Sequence, residues 1–143
     1  MSVKTYDAKK VIVVVGGIPI GGFADGSAVK VVRNNDTFTV TSGTHGDVSR
    51  SKSNDKTGEL TLTLAQTSPS NDYLSGLAIK DEVSNLGVVP ITVKDLSGTS
   101  KFASASGWVK KPADAEFAKD LTDREWVFSL ADVDIYNGGN FPQ

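Results

Sequence analysis

Several residue types that carry chemistry are scarce in this sequence or absent from it. None of the 143 residues is cysteine, which excludes a disulfide framework and a thiolate metal site. His45 is the one histidine, so a zinc site would need three carboxylates or a second chain. The net charge is −2, from 15 basic and 17 acidic residues, and it gives no general attraction to nucleic acid or to acidic membranes.

Long hydrophobic runs are also missing. The apolar run at residues 11–15 is interrupted at once by Gly16, Gly17 and Pro19, and it is too short to span a bilayer. No small-residue cleavage site follows it at a suitable distance, so we expect no signal peptide and no membrane partner. The expected location is therefore the cytoplasm, for a resident protein or for one assembled there.

Catalytic and ligand-binding motifs are equally scarce. The serine-rich stretch 103–107 predicts a strand and not a nucleophile elbow. Asp132 and Asp134 lie two residues apart, but the spacing and the terminal glutamate of a calcium loop are missing, which favours a solvated strand face. His45 lies in a polar stretch and is interpreted as an ordinary exposed loop residue. The sequence thus predicts a protein that is not an enzyme and has no cofactor or metal.

The clearest structural signal that is present begins at residue 58. Leucines alternate with threonines from residue 60 to 64, which predicts a strand with one apolar face. Ser68 then can cap a helix, and Pro69 suits the first helical position because its missing N–H would have no partner there. Apolar residues at three- and four-residue spacing follow, so we predict one amphipathic helix over about residues 69–82.

Most of the remaining chain predicts strands joined by short turns. Branched or alternating apolar residues mark strands at 11–15, 18–20, 28–33, 37–41, 88–94, 102–109 and 124–130, with a short one beginning at 116–117. Pro90 argues that its strand lies at a sheet edge. The apolar phase slips after residue 130, which a bulge near Ala131 and Asp132 would explain.

These elements define the expected fold class. About eight or nine strands and one flanking helix indicate a mainly β protein, an antiparallel β-sandwich or barrel. The length is that of one domain, residues 1–143, with short arms expected at 1–9 and 137–143. Segment 42–57 is the most polar part of the chain and is interpreted as a long loop or a protruding hairpin.

Threonines share one face on each of two predicted strands. The first set is Thr37, Thr39 and Thr41, and the second is Thr61 and Thr63. If the two strands pair through segment 42–57, they form a sheet with a neutral hydroxyl face. That face is either an ordinary solvent-facing sheet surface or a wall past which something slides without sticking, and the residues alone leave both open.

Six segments carry a family resemblance, in their order and spacing more than individually. They are YDAKKVIVVVGG at 6–17, GFADG at 22–26, QTSPSNDYLSG at 66–76, VPITVKD at 89–95, KPAD at 111–114 and REWVF at 124–128. In these segments the chain resembles the tail tube proteins of contractile-tailed bacteriophages, over nearly its whole length. The segment at 66–76 is the most specific of the six.

The resemblance implies a β-sandwich with a flanking helix, shared with the inner-tube protein of type VI secretion. It implies a structural virion protein without an active site, whose hexameric rings stack into a tube through which the genome passes. The implied partners are other copies of the chain, the sheath, the baseplate and the tail terminator. The implied location is the virion tail, assembled in the cytoplasm of the bacterial host.

The resemblance also gives roles to particular residues. The threonines at 37, 39, 41, 61 and 63 become candidates for the lumen lining, because short neutral side chains offer DNA few cationic anchors. Segment 42–57 becomes the candidate contact between subunits or between rings, since mixed charges suit register. Its charged residues are Asp47, Arg50, Lys52, Asp55 and Lys56. The two arms are expected to reach neighbouring subunits.

The competing interpretation is a soluble β-sandwich module that binds sugar or protein. Trp108 or Trp126 would be its binding platform if exposed. Both tryptophans are in phase with other apolar residues of their strands, which favours a core position instead.

Overall fold

The structure, a computed structural model, describes residues 3–26 and 28–142, so the tips of the two predicted arms, residues 1–2 and 143, lie outside the described residues. Within them the chain is mainly β, with one α-helix. The elements are β1 Val11–Val15, β2 Ile18–Ile20, β3 Val29–Arg33, β4 Phe38–Ser42, β5 Val48–Lys52, β6 Gly58–Ala65, α1 Ser70–Ser84, β7 Val89–Asp95, β8 Lys101–Lys111, β9 Asp123–Leu130 and β10 Val133–Tyr136. Among the described residues, no helix combines the length and the apolar character needed to cross a membrane.

The main sheet is antiparallel and runs in the order β2-β1-β7-β8-β9-β6-β3, with β10 also paired to β8. One half of the sheet contains β7, and the other contains β6. The two halves face each other across the core, since Leu60 of β6 and Ile91 of β7 line the same small cavity. The long β8 belongs to both halves, pairing with β10 near its start and with β9 near its end. The fold is consistent with the predicted β-sandwich, but the sheet does not close into the barrel that was the alternative.

Strand β6 has the predicted two faces. Leu60, Leu62 and Leu64 have no exposed surface, whereas Thr61 and Thr63 on the other face are half-buried. Full burial of a leucine side chain is worth about 1.5–3 kcal/mol. The alternation therefore fixes which face of β6 joins the core and which faces outward.

The helix forms where it was predicted, with both ends one or two residues later. It begins at Ser70 after Pro69, and the Ser68 hydroxyl accepts the Ser70 N–H (3.3 Å) while donating to the Gly21 carbonyl (2.7 Å). It ends at Ser84, because Asn85 takes a left-handed conformation with φ 58°. Ser68 thus joins the start of the helix to the turn after β2.

Two aromatic side chains attach the helix to the sheet. The Tyr73 hydroxyl donates to the Val15 carbonyl (2.9 Å), and burial raises the pKa of this phenol. The Trp126 indole N–H donates to the Asn71 side-chain oxygen (3.0 Å). Trp126 is 3% exposed, so the predicted core position is confirmed and this residue offers no binding platform, whereas Trp108 is half-buried.

The prediction that Pro90 marks an edge strand was wrong. Its strand, β7, lies between β1 and β8. The register with β8 shifts between Val89 and Ile91, so Pro90 sits at an irregularity where its missing N–H costs no ladder bond. Its carbonyl still accepts the Gly16 N–H (2.8 Å) on the other side.

Two further sequence predictions need correction. Residues 116–117 form no strand; the segment between β8 and β9 is irregular and exposed, tied back where the Thr122 hydroxyl donates to the Glu116 carbonyl (2.9 Å). The phase slip near Ala131 is a break between two strands, β9 and β10, and not a one-residue bulge within one strand. The pairs Leu130↔Gly107 and Val133↔Ser104 keep one common register across it.

Candidate assembly surfaces

Segment 42–57 contains a strand, β5, which pairs with β4 to form a hairpin. The pair is a separate two-stranded sheet, and all residues of both strands are exposed. Residues 43–47 close it, with Gly46 at φ +83° and the Gly43 N–H donating to the Asp47 carbonyl (2.7 Å). Of the two interpretations of this segment, the structure therefore shows the protruding hairpin.

The two faces of this hairpin differ in chemistry. Directly opposed residues of antiparallel strands point to the same side. The apolar face, as we name it, consists of Phe38 opposite Lys52, Val40 opposite Arg50, and Ser42 opposite Val48. The hydroxyl face consists of Thr39 opposite Ser51 and Thr41 opposite Ser49.

The apolar face holds its aromatic and cationic groups in a defined arrangement. Val40 and Val48 are each 70% exposed, and the Arg50 guanidinium lies 4.2 Å from the centre of the Phe38 ring. A cation stacked on an aromatic ring at an exposed site is worth about 0.5–1 kcal/mol. The face thus combines exposed aliphatic groups with fixed positive charge, which suits a partner surface that is apolar and acidic.

The two threonine strands do not pair, so the condition for one continuous hydroxyl face is not met. Strand β4 pairs with β5, whereas β6 lies between β3 and β9 in the main sheet. The physical reason is that residues 43–47 bring β5 back beside β4 at a small loop-closure cost. Thr37, Thr39 and Thr41 therefore belong to the hairpin, and they share no sheet with the threonines of β6.

The threonines of β6 lie on the outward face of the main sheet. Thr61 is opposite Val127, and Thr63 is opposite Glu125. On the same face Glu59 is paired with the Lys110 ammonium (2.6 Å), which neutralises one charge beside them. This face is consequently outward and of mixed, partly compensated charge.

A polar cluster, the hairpin base, joins the hairpin to the main sheet. The Asp55 carboxylate accepts the hydroxyl (2.7 Å) and the N–H (2.9 Å) of Thr57, and the amide of Asn35 (2.6 Å). The hydroxyl bond is the largest of the causes that lower the pKa of Asp55, followed by the N–H. The Asn34 side chain also donates to the Thr57 hydroxyl (3.1 Å).

The five charged residues predicted for the contact segment fall into two groups. Asp47, Arg50 and Lys52 lie on the hairpin itself. Asp55 belongs to its base, and the Lys56 ammonium lies 3.6 Å from the Asp134 carboxylate of β10. Arg50 and Lys52 are exposed on strand β5, whereas Asp55 and Lys56 make contacts within their own chain.

The sequence analysis missed an exposed apolar surface on α1. Leu74, Leu77 and Ala78 form the buried side of the helix. Ile79 and Val83 lie one turn apart on the opposite side and are 60% and 81% exposed. Leu86, just beyond the helix end, is 63% exposed. The spacing of residues 79 and 83 was a readable signal for a second apolar face.

The described parts of the two predicted arms fold back onto their own chain. The Asn140 amide donates to the Thr5 carbonyl (2.7 Å), and Lys4 forms an isolated bridge with Pro142. The Phe141 N–H donates to the carbonyl of Ser97 in the turn between β7 and β8 (2.9 Å). These contacts define where the arms lie in the single chain.

The residues screened for chemistry lie on the surface. His45 is an exposed turn residue, as predicted, and Asp132 and Asp134 are exposed as well. Across the described ranges, no three His, Asp or Glu side chains lie where they could hold a metal ion together.

Solved structures of contractile injection systems share this fold. A chain of the anti-feeding prophage cap, the AFP tube terminating cap, matches with a TM-score of 0.66 at 10% identity, covering 95% of this chain and 94% of its own. A chain of the PVC sheath/tube terminator in the extended state matches with a TM-score of 0.66 at 14% identity, covering 94% and 99%. A chain of the PVC sheath-tube complex matches with a TM-score of 0.57 at 11% identity, covering 92% and 91%.

Sequence comparison narrows this fold to one family. Structural protein ORF10 of Pseudomonas phage KPP10 is 31% identical over 144 residues, which cover 95% of this chain and 83% of that protein. The family model described as bacteriophage PhiTE tail tube protein matches residues 5–138. The chain belongs to this family of phage tail tube proteins, and the resemblance read from its sequence is confirmed.

Proposed function

We propose that the chain is the subunit of an inner tail tube, in which hexameric rings stack around a lumen that passes DNA during ejection. Its partners are further copies of itself and the sheath, baseplate and tail-terminator proteins of the same virion tail, assembled in the host cytoplasm. Residues 1–143 act as one structural domain without catalysis or cofactor, and the arms at 1–9 and 137–143 contact neighbours. Membership of the tail tube family supports this role.

The hairpin is the observation that carries the proposal for self-assembly. A lone two-stranded hairpin is marginally stable in water, and this one exposes both of its faces. Val40 and Val48 are 70% exposed on its apolar face, where burial against another subunit would stabilise both the hairpin and the contact. Asp47, Arg50 and Lys52 add charges that set the register of such a contact.

The lumen lining is a second part of the proposal. Thr61 and Thr63 have the stronger support, because they lie on the outward face of the main sheet and opposite the buried leucines of β6. Their own side chains are short and neutral, and the neighbouring Lys110 is paired with Glu59, so the exposed Lys30 directly opposite Thr61 is the cation beside them that remains available to DNA phosphates. The threonines of the hairpin extend the lining only where the hydroxyl face turns toward the lumen.

The assembly proposal is tested by reversing the charges of the hairpin. The double substitution Arg50→Glu and Lys52→Glu is expected to prevent tubes seen by electron microscopy, whereas Arg50→Lys with Lys52→Arg, which conserves charge, leaves them intact. Both residues are exposed, so the fold is expected to persist by circular dichroism. Tubes of unchanged length and abundance in the glutamate variant would show that the hairpin is not the assembly contact.

The lining proposal is tested by adding positive charge at the same sites. Thr61→Lys with Thr63→Lys is expected to leave tubes intact but to slow DNA release from assembled virions, because each cation would bind a phosphate. Replacing the exposed Ser75 of α1 with Lys adds the same charge elsewhere and serves as the control. Unchanged release from virions that contain the double variant would place Thr61 and Thr63 outside the lumen.

A further inference from the structure

The hairpin and the helix expose surfaces of complementary chemistry on the same chain. We propose that the apolar face of the hairpin docks on the exposed side of α1 in a second copy of the chain. This inference rests on the proposed function and names the surface that receives the hairpin. The receiving surface, the helix stripe, consists of Gly76, Ile79, Val83 and Leu86.

The apolar face of the hairpin and the helix stripe both expose apolar side chains, which is the first observation that supports their pairing. Ile79 and Val83 are 60% and 81% exposed and lie along one side of the helix, and Leu86, just beyond the helix end, is 63% exposed. Val40 and Val48 present a similar aliphatic area on the hairpin, each 70% exposed. Adjacent exposed aliphatic groups mark an interaction site far better than single scattered ones.

Charge is the second observation. Arg50 and Lys52 project from the apolar face of the hairpin, whereas Asp72 and Glu82 are exposed acids beside the helix stripe. In an α-helix of 100° per residue, Asp72 lies within about 20° of Ile79, and Glu82 lies on one flank of the stripe. The opposite flank carries the cation Lys80. Docking that turns Arg50 and Lys52 toward Asp72 and Glu82, and away from Lys80, brings opposite charges together and favours one orientation.

Gly76 is the third observation. It lies in the middle of the helix, on the exposed side, and an added Cβ would meet nothing within 4 Å. Glycine at such a position destabilises a helix by about 0.5–1 kcal/mol relative to alanine. Packing within the chain does not explain why residue 76 is glycine. The close approach of a second backbone to this side of the helix would explain it.

The contact is heterologous, because each copy presents a hairpin and receives another. A chain of subunits joined in this way always has one free hairpin at one end and one free helix stripe at the other. It therefore closes into a ring or keeps growing into an extended tube. The hairpin then lies on the side of α1 opposite the buried core, with its hydroxyl face turned away from the main sheet. Lumen lining consequently falls to Thr61 and Thr63 and not to the hairpin threonines.

A mixing experiment tests the pairing directly. Val40→Glu disables the hairpin but leaves the helix stripe intact, and Val83→Glu does the reverse. Each variant alone is expected to lose assembly in sedimentation velocity, whereas the equimolar mixture forms a heterodimer that cannot grow. We expect this heterodimer to be at least about tenfold tighter than self-association of either variant. Ser49→Glu on the hydroxyl face and Ser84→Glu at the helix end place the same charge outside the proposed contact, and both are expected to assemble like the parent chain.

A cysteine pair gives a second readout, since the parent chain has no cysteine. Oxidation of a mixture of Val40→Cys and Val83→Cys is expected to cross-link one copy of each, identified by mass spectrometry of the joined peptides.

If Val40→Glu blocked assembly while Val83→Glu assembled normally, the hairpin would dock elsewhere, and the inference would fall while the proposed function stands. Two inactive Glu variants that do not associate when mixed, or two Cys variants that do not cross-link, would overturn it too. A parent chain that is monomeric at every concentration would remove both.

Discussion

The contribution of the hairpin to self-association can be measured by removing two methyl groups from it. Val40→Ala deletes them from the centre of the apolar face, where the side chain is 70% exposed in the single chain. Two methyl groups are worth about 1.6 kcal/mol when fully buried. Because part of the side chain is already covered, docking buries the remainder and the substitution weakens each contact by roughly 1 kcal/mol.

The critical concentration for assembly is the quantity that reports this loss. A weakening of roughly 1 kcal/mol per added subunit raises the critical concentration about fivefold, which sedimentation of assembled material against total protein can measure. Thr39→Ala removes a side chain from the same strand but from the hydroxyl face, so it is the matched control. Equal effects of the two substitutions, or no effect of Val40→Ala, would refute burial of the apolar face.

Three further predictions concern the parts of the chain that position these surfaces. Asn71→Ala lowers the unfolding free energy in urea by about 2–3 kcal/mol, because the buried Trp126 N–H loses its acceptor. Gly58→Ala lowers it by about 1–3 kcal/mol, since the added Cβ would lie 2.5 Å from the Val32 carbonyl oxygen. Asp55 has a lowered pKa in the folded chain, so its stabilisation is present above the ordinary aspartate pKa and is lost as the pH falls through the folded value. Amide protection at the hairpin base, expressed relative to intrinsic exchange at each pH, should fall over that acidic range.

Each of these three has a control built into the chain. Asn71→Asp keeps the acceptor for Trp126 and should lose less stability than the alanine variant. Gly76→Ala, with open space around it, should stabilise the subunit by about 0.5–1 kcal/mol where Gly58→Ala destabilises it. Asp55→Asn should abolish the acid-dependent loss of amide protection; the same loss in that variant would assign it to another group.

Local patterns predicted most of the elements. The alternation of leucine and threonine predicted that one face of β6 is buried and the other faces outward, as the structure shows. The Ser68–Pro69 pair predicted the start of the helix to within one residue. These signals succeed because each is set by burial or by backbone hydrogen bonds within a few residues. The same holds for His45, whose polar neighbours placed it correctly at the surface.

Pairing between distant strands was less accessible. The pattern of β5 lacks an apolar face, with Val48 as its one large apolar residue, so its pairing with β4 could not be told from a loop. Pro90 was assigned to an edge because its missing donor was visible, whereas the irregularity beside it depends on the register of β8. The threonine pairing failed for the same reason, since nothing local says which strand lies beside β6.

Exposure posed a different difficulty at the candidate surfaces. The spacing of Ile79 and Val83 was visible, but helix residues 73–78 already supplied one apolar face, and only the packed structure shows which side is covered. The apolar face of the hairpin likewise depends on its pairing register, which sets Val40 beside Arg50. The residue types of the two candidate surfaces were thus visible in the sequence, whereas which of these residues share an exposed face required the fold.

The central claim is that this chain assembles with itself into a tube of hexameric rings. Cryo-electron microscopy of the purified, concentrated chain tests it most directly, because end-on views count the subunits and show the lumen. We predict stacked hexameric rings with Thr61 and Thr63 facing the channel and the hairpin of each subunit lying on α1 of a neighbour. A ring of another subunit number, a closed dimer, or a discrete single chain at every concentration would contradict the account.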